Sequence, residues 1–219
     1  MMLRLVYPAL VCALLYGCKS HTVIDRHQEI PVAMESGDSI VLLGRSTRLA
    51  ESGDHDFVDC VGNALETRNA NLDVVEENEF VDAMYPWFES TTAPTEVSML
   101  EPLFNNDAIT ERFEELAIKY LIWIEGRTET LESIGGITCS IGPGGGGCFG
   151  YKSWDDEADY VAAIWDIDQQ ADAARIGTRT NGTSYMPAVI IPIPLLARAK
   201  HTACDAMAGQ IADYLSMPK

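Results

Sequence analysis

The run from Asp107 to Asp168 constrains the fold more than any other stretch of this chain. It opens as DAITERFEELAIKYLIWIEGRTET, where Ile109, Phe113, Leu116 and Ala117 recur at helical spacing after a start at Asn106 or Asp107. Leu121 to Thr130 is long and strand-like. The chain then passes through ITCSIGPGGGGCFGY, with Cys139 and Cys148 on either side of the glycines. It returns in Ala158–Asp168, where Tyr160, Ala162, Ile164 and Asp166 alternate with Val161, Ala163, Trp165 and Ile167. This pattern predicts a helix feeding a central strand that returns, through a glycine-rich insert, into a second strand.

The rest of the chain supplies that sheet. Ile40–Leu43 is a short apolar run ended by Gly44, as in a strand buried on both faces. RSTRLAESGDHD reads as a loop, and Ser52 or Asp54 caps a helix carrying Phe57, Cys60, Val61, Ala64 and Leu65 on one side. LDVV is a second strand, EFVDAMYPWF a short helix interrupted at Pro86, and VSMLEPLF another short helix. Strand, helix, strand, helix, helix, strand is an α/β order with crossovers long enough for parallel pairing. Ala174–Tyr185 is polar and threonine-rich, with Asn181-Gly182 as a turn or an irregular sheet edge. In MPAVIIPIPLLA, the prolines at 187, 192 and 194 preclude a membrane-spanning helix. Pro194 suits the first turn of a closing helix striped by Leu196, Ala199, Ala203, Met207, Ile211 and Leu215. The expected class is α/β with α+β character. It comprises a mixed sheet with a parallel amino-terminal part and antiparallel additions, helices mainly on one face and a closing carboxy-terminal helix. One domain is expected over 37–219, with an insert at 132–156.

The first residues, MMLRLVYPALVCALLYGCKS, combine a positive Arg4, an apolar run too short to span a membrane and a terminal Gly17-Cys18. They resemble the signal peptide and lipobox of bacterial lipoproteins, with Tyr16 bulkier than is usual there. The resemblance implies removal of residues 1–17, acylation of Cys18 and anchoring to membrane lipid; Lys19 implies outer-membrane sorting, facing the periplasm. Loss of 17 of 219 residues leaves 202, enough for one domain with a real core. Residues 18–36 show little periodicity and read as a tether, with His21 and His27 exposed on it. The formal charge is −18, with acids scattered along the chain, which disfavours nucleic-acid binding and suits a solvated surface.

Apart from Cys12 and Cys18, four cysteines remain. In an exported chain an even number argues for disulfides, and four allow three pairings. Cys139–Cys148 would staple the glycine loop, and Cys60–Cys204 would join the first and last helices; free buried thiols are the alternative for the second pair. No Cys-x-x-Cys occurs, so a zinc site is not expected. The run Gly142–Gly147 lacks the following Lys and Ser/Thr of a phosphate loop and reads as a hairpin tip or wide loop. In the polar cluster Asp54-His55-Asp56 with Asp59, Asp56 and Asp59 are three apart and could flank a cation, but acids are ordinary at a helix start. Asp155-Asp156-Glu157 reads as a solvated turn. His201 beside Cys204 lacks an evident orienting acid. No cofactor, metal site or catalytic residue is expected.

With that order laid out, IVLL, then NLDVVEENEF after the first helix, then the helix-to-strand junction LAIKYLIWIEG resemble a group of bacterial envelope proteins. The group comprises the amino-terminal domain of TolB, the curli-export lipoprotein and the lipoprotein activator of penicillin-binding proteins. The likeness covers residues 37–170, with Ile118-Lys119 where a Gly-Ala pair is usual. It implies action by assembly and contact: a membrane-anchored periplasmic lipoprotein that binds an envelope protein or itself, without catalysis. The alternative is a small periplasmic hydrolase or ligand-binding lipoprotein, with a pocket gathering His55 or His201 with carboxylates. An interaction surface is expected from Phe149, Tyr151 and Trp154 beside the glycines, from Met84, Trp87 and Phe88, or from Met186–Leu196.

Overall fold

The computed structural model describes residues 20–45, 55–89, 91–143 and 145–216. Cys18, the signal segment and the expected caps Ser52 and Asp54 lie outside the described residues. Six strands, β1 (Ser20–Gln28), β2 (Ser39–Gly44), β3 (Asp73–Val75), β4 (Ile118–Gly142), β5 (Gly145–Asp166) and β6 (Ala171–Pro192), form one sheet in the order β1-β6-β5-β4-β2-β3. The helices are α1 (His55–Arg68), α2 (Glu77–Ala83), α3 (Leu100–Phe104), α4 (Asp107–Glu115) and α5 (Ala199–Leu215), with a 3-10 turn at Val97–Met99.

β2 runs parallel to both neighbours, Ile40 opposite Val74 on one side and Tyr120 on the other. β4 to β5 and β5 to β6 are joined by connections too short for a crossover, so both pairs are antiparallel. The mixed sheet with a parallel start, antiparallel additions and a closing helix is therefore present.

The chain divides into two compact units. One, here the α/β unit, holds Thr22–Arg127, Ala158–Arg179 and the segment beginning at Lys200. The other, here the strand unit, holds Thr128–Glu157, Thr180–Ala199 and the segment ending at His21.

The α/β unit is built as its pattern dictates. In β2 every residue from Ser39 to Leu43 is buried, and alternate side chains serve different helices. Val41 and Leu43 join Phe80, Met84, Phe88, Leu100, Ile109 and Phe113 in one core. Ile40 and Leu42 belong to the set facing the two long helices, α1 and α5, which share one face. Phe57 of α1 lies flat on Tyr160 at 3.5 Å between ring centroids, and Tyr214 of α5 meets Tyr120 edge-on at 6.1 Å. The disulfide Cys60–Cys204 joins these helices, with Cα atoms 6.2 Å apart. α4 starts at Asn106, whose side chain accepts the Ala108 N–H. It ends with Ala117 at φ +49°, a left-handed position that suits glycine.

Several readings are corrected. Residues 20–28, expected within the tether, form β1: Glu29 N–H donates to the Ala173 carbonyl at 2.9 Å, and Asp25 lies beside Gly177, an antiparallel register. Seven of its nine residues are exposed, so an edge strand of this kind has no apolar period to read. The following residues are docked too: Val32 is buried and Ala33 N–H donates to the Tyr120 hydroxyl at 2.9 Å. Asn181-Gly182 is not a turn but lies within β6, where Thr178, Thr180 and Ser184 form a buried stripe. A Cβ at Gly182 would lie 2.7 Å from that of Ala197, so the position needs a glycine for contact rather than for turning. The closing helix begins at Ala199 rather than Pro194, leaving Leu196 exposed outside it.

Candidate functional site

The strand unit carries the surface that sequence reasoning sought. Of the two readings of Gly142–Gly147, the hairpin tip is the one present and the wide loop is not: β4 continues to Gly142 and β5 resumes at Gly145, so 132–156 is almost wholly strand. Glycine makes that pairing possible. At Gly135, φ is +90° and a Cβ would stand 2.2 Å from the Tyr151 carbonyl oxygen. Cys139 and Cys148 face each other across the hairpin with Cα atoms 4.0 Å apart and are disulfide-bonded.

After β6 the chain folds back on itself. Tyr185 and Leu195 exchange backbone hydrogen bonds of 2.8 and 2.7 Å, and Ile193 N–H donates to the Pro187 carbonyl at 3.0 Å. A polar knot ties the unit together: Asp156 accepts from Thr130 at 2.7 Å and from Ser184 at 3.3 Å, while Ala197 N–H donates to Ser184 at 3.0 Å. Asp156 is thus a structural acceptor, not part of a solvated turn.

Charge stops where this knot ends. Ser133–Tyr151 contains no charged residue, and neither does Asn181–Ala197, in a chain that is 22% charged. Those runs display their apolar side chains. Ile141 is 93% exposed, Val189 76%, Ile191 68% and Ile134 67%, with Ile190, Ile193 and Leu196 exposed beside them. Phe149 and Tyr151 are exposed as well, Trp154 is half-buried under Lys152, and the rings of Tyr151 and Tyr185 lie 6.2 Å apart. The Met186–Leu196 reading and the aromatics Phe149, Tyr151 and Trp154 fall in one unit. Ile134 and Ile141 were missed, although their signal was available: the absence of charge around them.

Met84, Trp87 and Phe88 do not form a surface patch. Met84 and Phe88 are buried in the α/β core, and Trp87 is half-buried there with the Arg112 guanidinium 5.7 Å from its ring.

Of the histidines, His55 lies in a groove with the carboxylates of Asp59, Glu66, Glu76 and Glu77, the gathering that the ligand-binding alternative expects, whereas His201 lies outside it. His55 pairs with Glu77 at 2.9 Å and His201 with Asp205 at 3.1 Å, the orienting acid that the sequence did not make evident. Both histidines are exposed, and Cys204 beside His201 is held in a disulfide. Asp56 lies 3.8 Å from Lys200. Among the described residues no group of three His, Cys, Asp or Glu is placed to hold a metal, and no helix is long and apolar enough to cross a membrane, which says nothing of strands. The most deeply buried ions are structural. Lys119 sits between Asp168 at 2.5 Å and Asp166 at 3.4 Å. Burial pulls its pKa down, but the Asp168 hydrogen bond and the two carboxylate charges outweigh that and leave it raised. Burial raises Tyr120 and Tyr214.

No protein-family model and no curated protein matches the chain. Among solved structures it is weakly similar to the PelC dodecamer from Paraburkholderia phytofirmans, in two crystals, one of them of a single-residue variant. Against the variant the identity is 12% and the TM-score 0.44, over 90% of this chain and 100% of the other. Against the second they are 13% and 0.41, over 91% and 100%. Likeness at this level assigns neither family nor function, and these structures are not those of the TolB and curli-export group that the sequence resembles.

Proposed function

We propose that this chain is a non-enzymatic assembly protein of the bacterial cell envelope, anchored by acylated Cys18 and acting through its strand unit. One observation carries the reading: a charge-free stretch of strand exposed along nearly its whole length, Ser133–Gly142, and the exposed apolar run Val189–Ile191 within a second charge-free stretch, in a protein of net charge −18. A surface of that kind is far from water's preference and marks a contact with protein or lipid. The uncharged run in β4, Ser133–Gly142, is ten residues long and that in β6, Asn181–Pro192, is twelve. A strand needs about 9–11 residues to cross a bilayer's hydrocarbon. Tyr151 and Trp154 stand where the charges begin, with Tyr185 beside Tyr151, the level at which amphipathic aromatics favour a membrane interface.

The backbone adds a requirement. Among the described residues β4 pairs with β2 as far as Ile124, and the later stretch Ser133–Gly142 has no second neighbouring strand among them. Open edges are intolerable in lipid and sticky in water. Pairing of that edge with another copy satisfies the backbone in either solvent, which makes self-association the favoured mode and lipid contact its companion. The specific group named from the sequence, with its lipoprotein members, remains the family expectation for this fold.

Crosslinking in intact cells, followed by sizing of the adducts, tests the reading. Multimers of this chain are expected, lost in Ile137→Pro at the β4 edge, and Cys18→Ala is expected to release the protein from membranes. Recovery of monomer alone, together with turnover of a small ligand, would overturn it.

A further inference from the structure

The α/β unit carries a second unexplained feature, at the opposite end of the sheet order from β1. β3 is a three-residue strand with a neighbour on one side only among the described residues, and its extended backbone continues through Glu76 at φ −63°, ψ 142°. Between this edge and α1 runs a groove of about 500 Å³, within the size range of ligand pockets. Its base is apolar, from Val74 with the almost fully buried Leu42 and Val58, and its walls are polar, from His55, Asn63 and Asn78 among others.

Gly62 opens the groove. It lies in the interior of α1, where glycine costs roughly 1 kcal/mol against alanine. Packing does not demand it: a Cβ there would meet only the Leu42 side chain, at 3.8 Å. What its absence of a side chain provides is room beside β3.

The rim has one sign of charge. Asp59, Glu66, Glu76 and Glu77 line the groove, and no lysine or arginine does. Glu77 is fixed in place, accepting the Gly44 N–H at 2.9 Å with one oxygen and meeting His55 Nδ1 at 2.9 Å with the other. Acidic side chains on a helix are ordinary when solvated. Here they border an apolar trough that lies along a one-sided strand, and the combination has a definite complement.

We propose that this groove binds an extended, cationic segment of a partner protein by strand addition to β3. Main-chain hydrogen bonds to the free edge of β3 supply affinity, as in other edge-strand recognition. Alternate apolar side chains of the segment descend onto Leu42, Val58 and Val74, while its lysines or arginines meet Asp59, Glu66 and Glu76. An anionic segment is repelled by the same carboxylates. This site is independent of the strand unit, so each can fail without the other.

The test uses the full chain in detergent and a labelled peptide of alternating valine and lysine, followed by fluorescence anisotropy. Saturable binding is expected, weakened about tenfold or more by Asp59→Lys with Glu66→Lys, which replaces attraction by repulsion at the rim. The same peptide methylated on alternate backbone nitrogens is expected not to bind, and Gly62→Leu to block binding while leaving the melting transition in place. Because a protein of charge −18 attracts cations everywhere, Glu111→Lys with Glu115→Lys on α4 is the control and is expected to leave affinity unchanged. Absence of binding overturns the proposal. So does equal binding of the methylated peptide, or equal weakening by the rim and control substitutions, since either shows general electrostatic attraction and not a site.

Discussion

In the α/β unit Phe57, Phe80, Met84, Leu100 and Ile109 are all fully buried, whereas in the strand unit Ile141, Val189 and Ile191 stand mostly in the open. Both units are rich in apolar residues. The difference is that the first has helices to cover its sheet, whereas the described residues of the second form strands and a folded-back segment. One unit buries its apolar side chains; the other leaves apolar surface exposed among the described residues. The two disulfides follow the same division. Cys60–Cys204 spans 144 residues and ties two helices of a finished core, while Cys139–Cys148 spans nine and staples one hairpin.

The largest test of this contrast is to remove each disulfide in turn. Chain-entropy arguments give about 5 kcal/mol for Cys60→Ser with Cys204→Ser and about 2.5 kcal/mol for Cys139→Ser with Cys148→Ser. Urea unfolding should show the first as loss of the whole α/β transition. Hydrogen exchange should show the second as faster exchange confined to the hairpin. Comparable global destabilisation by the second pair would break the contrast.

Next, Phe80→Ala removes a ring packed edge-on against Phe88 and Phe113. A loss of about 3–5 kcal/mol is expected in thermal denaturation.

The alkaline limb should also belong to the α/β unit. Tyr120, Tyr214 and Lys119 have pKa values raised by folding, so their contribution is fully present below their unfolded values, near pH 10, and is lost as pH rises through the folded ones. The melting temperature should therefore fall above about pH 10, and less steeply in Tyr214→Phe. An unchanged slope in that variant would remove Tyr214 from the account.

The smallest effect on stability should come from the most hydrophobic surface. Ile141→Ser and Ile191→Ser are expected to change unfolding free energy by less than about 0.5 kcal/mol, yet to reduce crosslinked multimers sharply. A stability loss like that of Phe80→Ala would mean these side chains are already buried within one copy.

Much of the α/β unit was legible because its residues carry a period. Ile109 and Phe113 turned inward as their spacing required, and the apolar run Ile40–Leu43 lies in β2, buried on both faces. The site was legible only in part. Phe149, Tyr151 and Met186–Leu196 drew notice as aromatics and apolar residues. Ile134 and Ile141 did not, because a strand exposed on both sides shows no alternation, and glycines read as a loop until their pairing is seen. β1 escaped for the same reason, being an edge strand of mostly polar residues. The stripe of Thr178, Thr180 and Ser184 looked like a surface, since small hydroxyl side chains can be buried when the neighbouring chain is close enough to leave no space for water.

Local chemistry was sufficient for the amphipathic helices, for the buried strand β2, for the candidate disulfide cysteines and for an interval of chain without charge, because each depends on residues near one another in sequence. Whether that uncharged interval was core, loop or contact surface depended on what lies beside it. Only the tertiary structure decided that, by pairing Gly135 with Tyr151 across a hairpin and leaving Ile141 exposed among the described residues. Burial is a property of neighbours in space, and for this stretch no neighbour that buries it stands among the described residues.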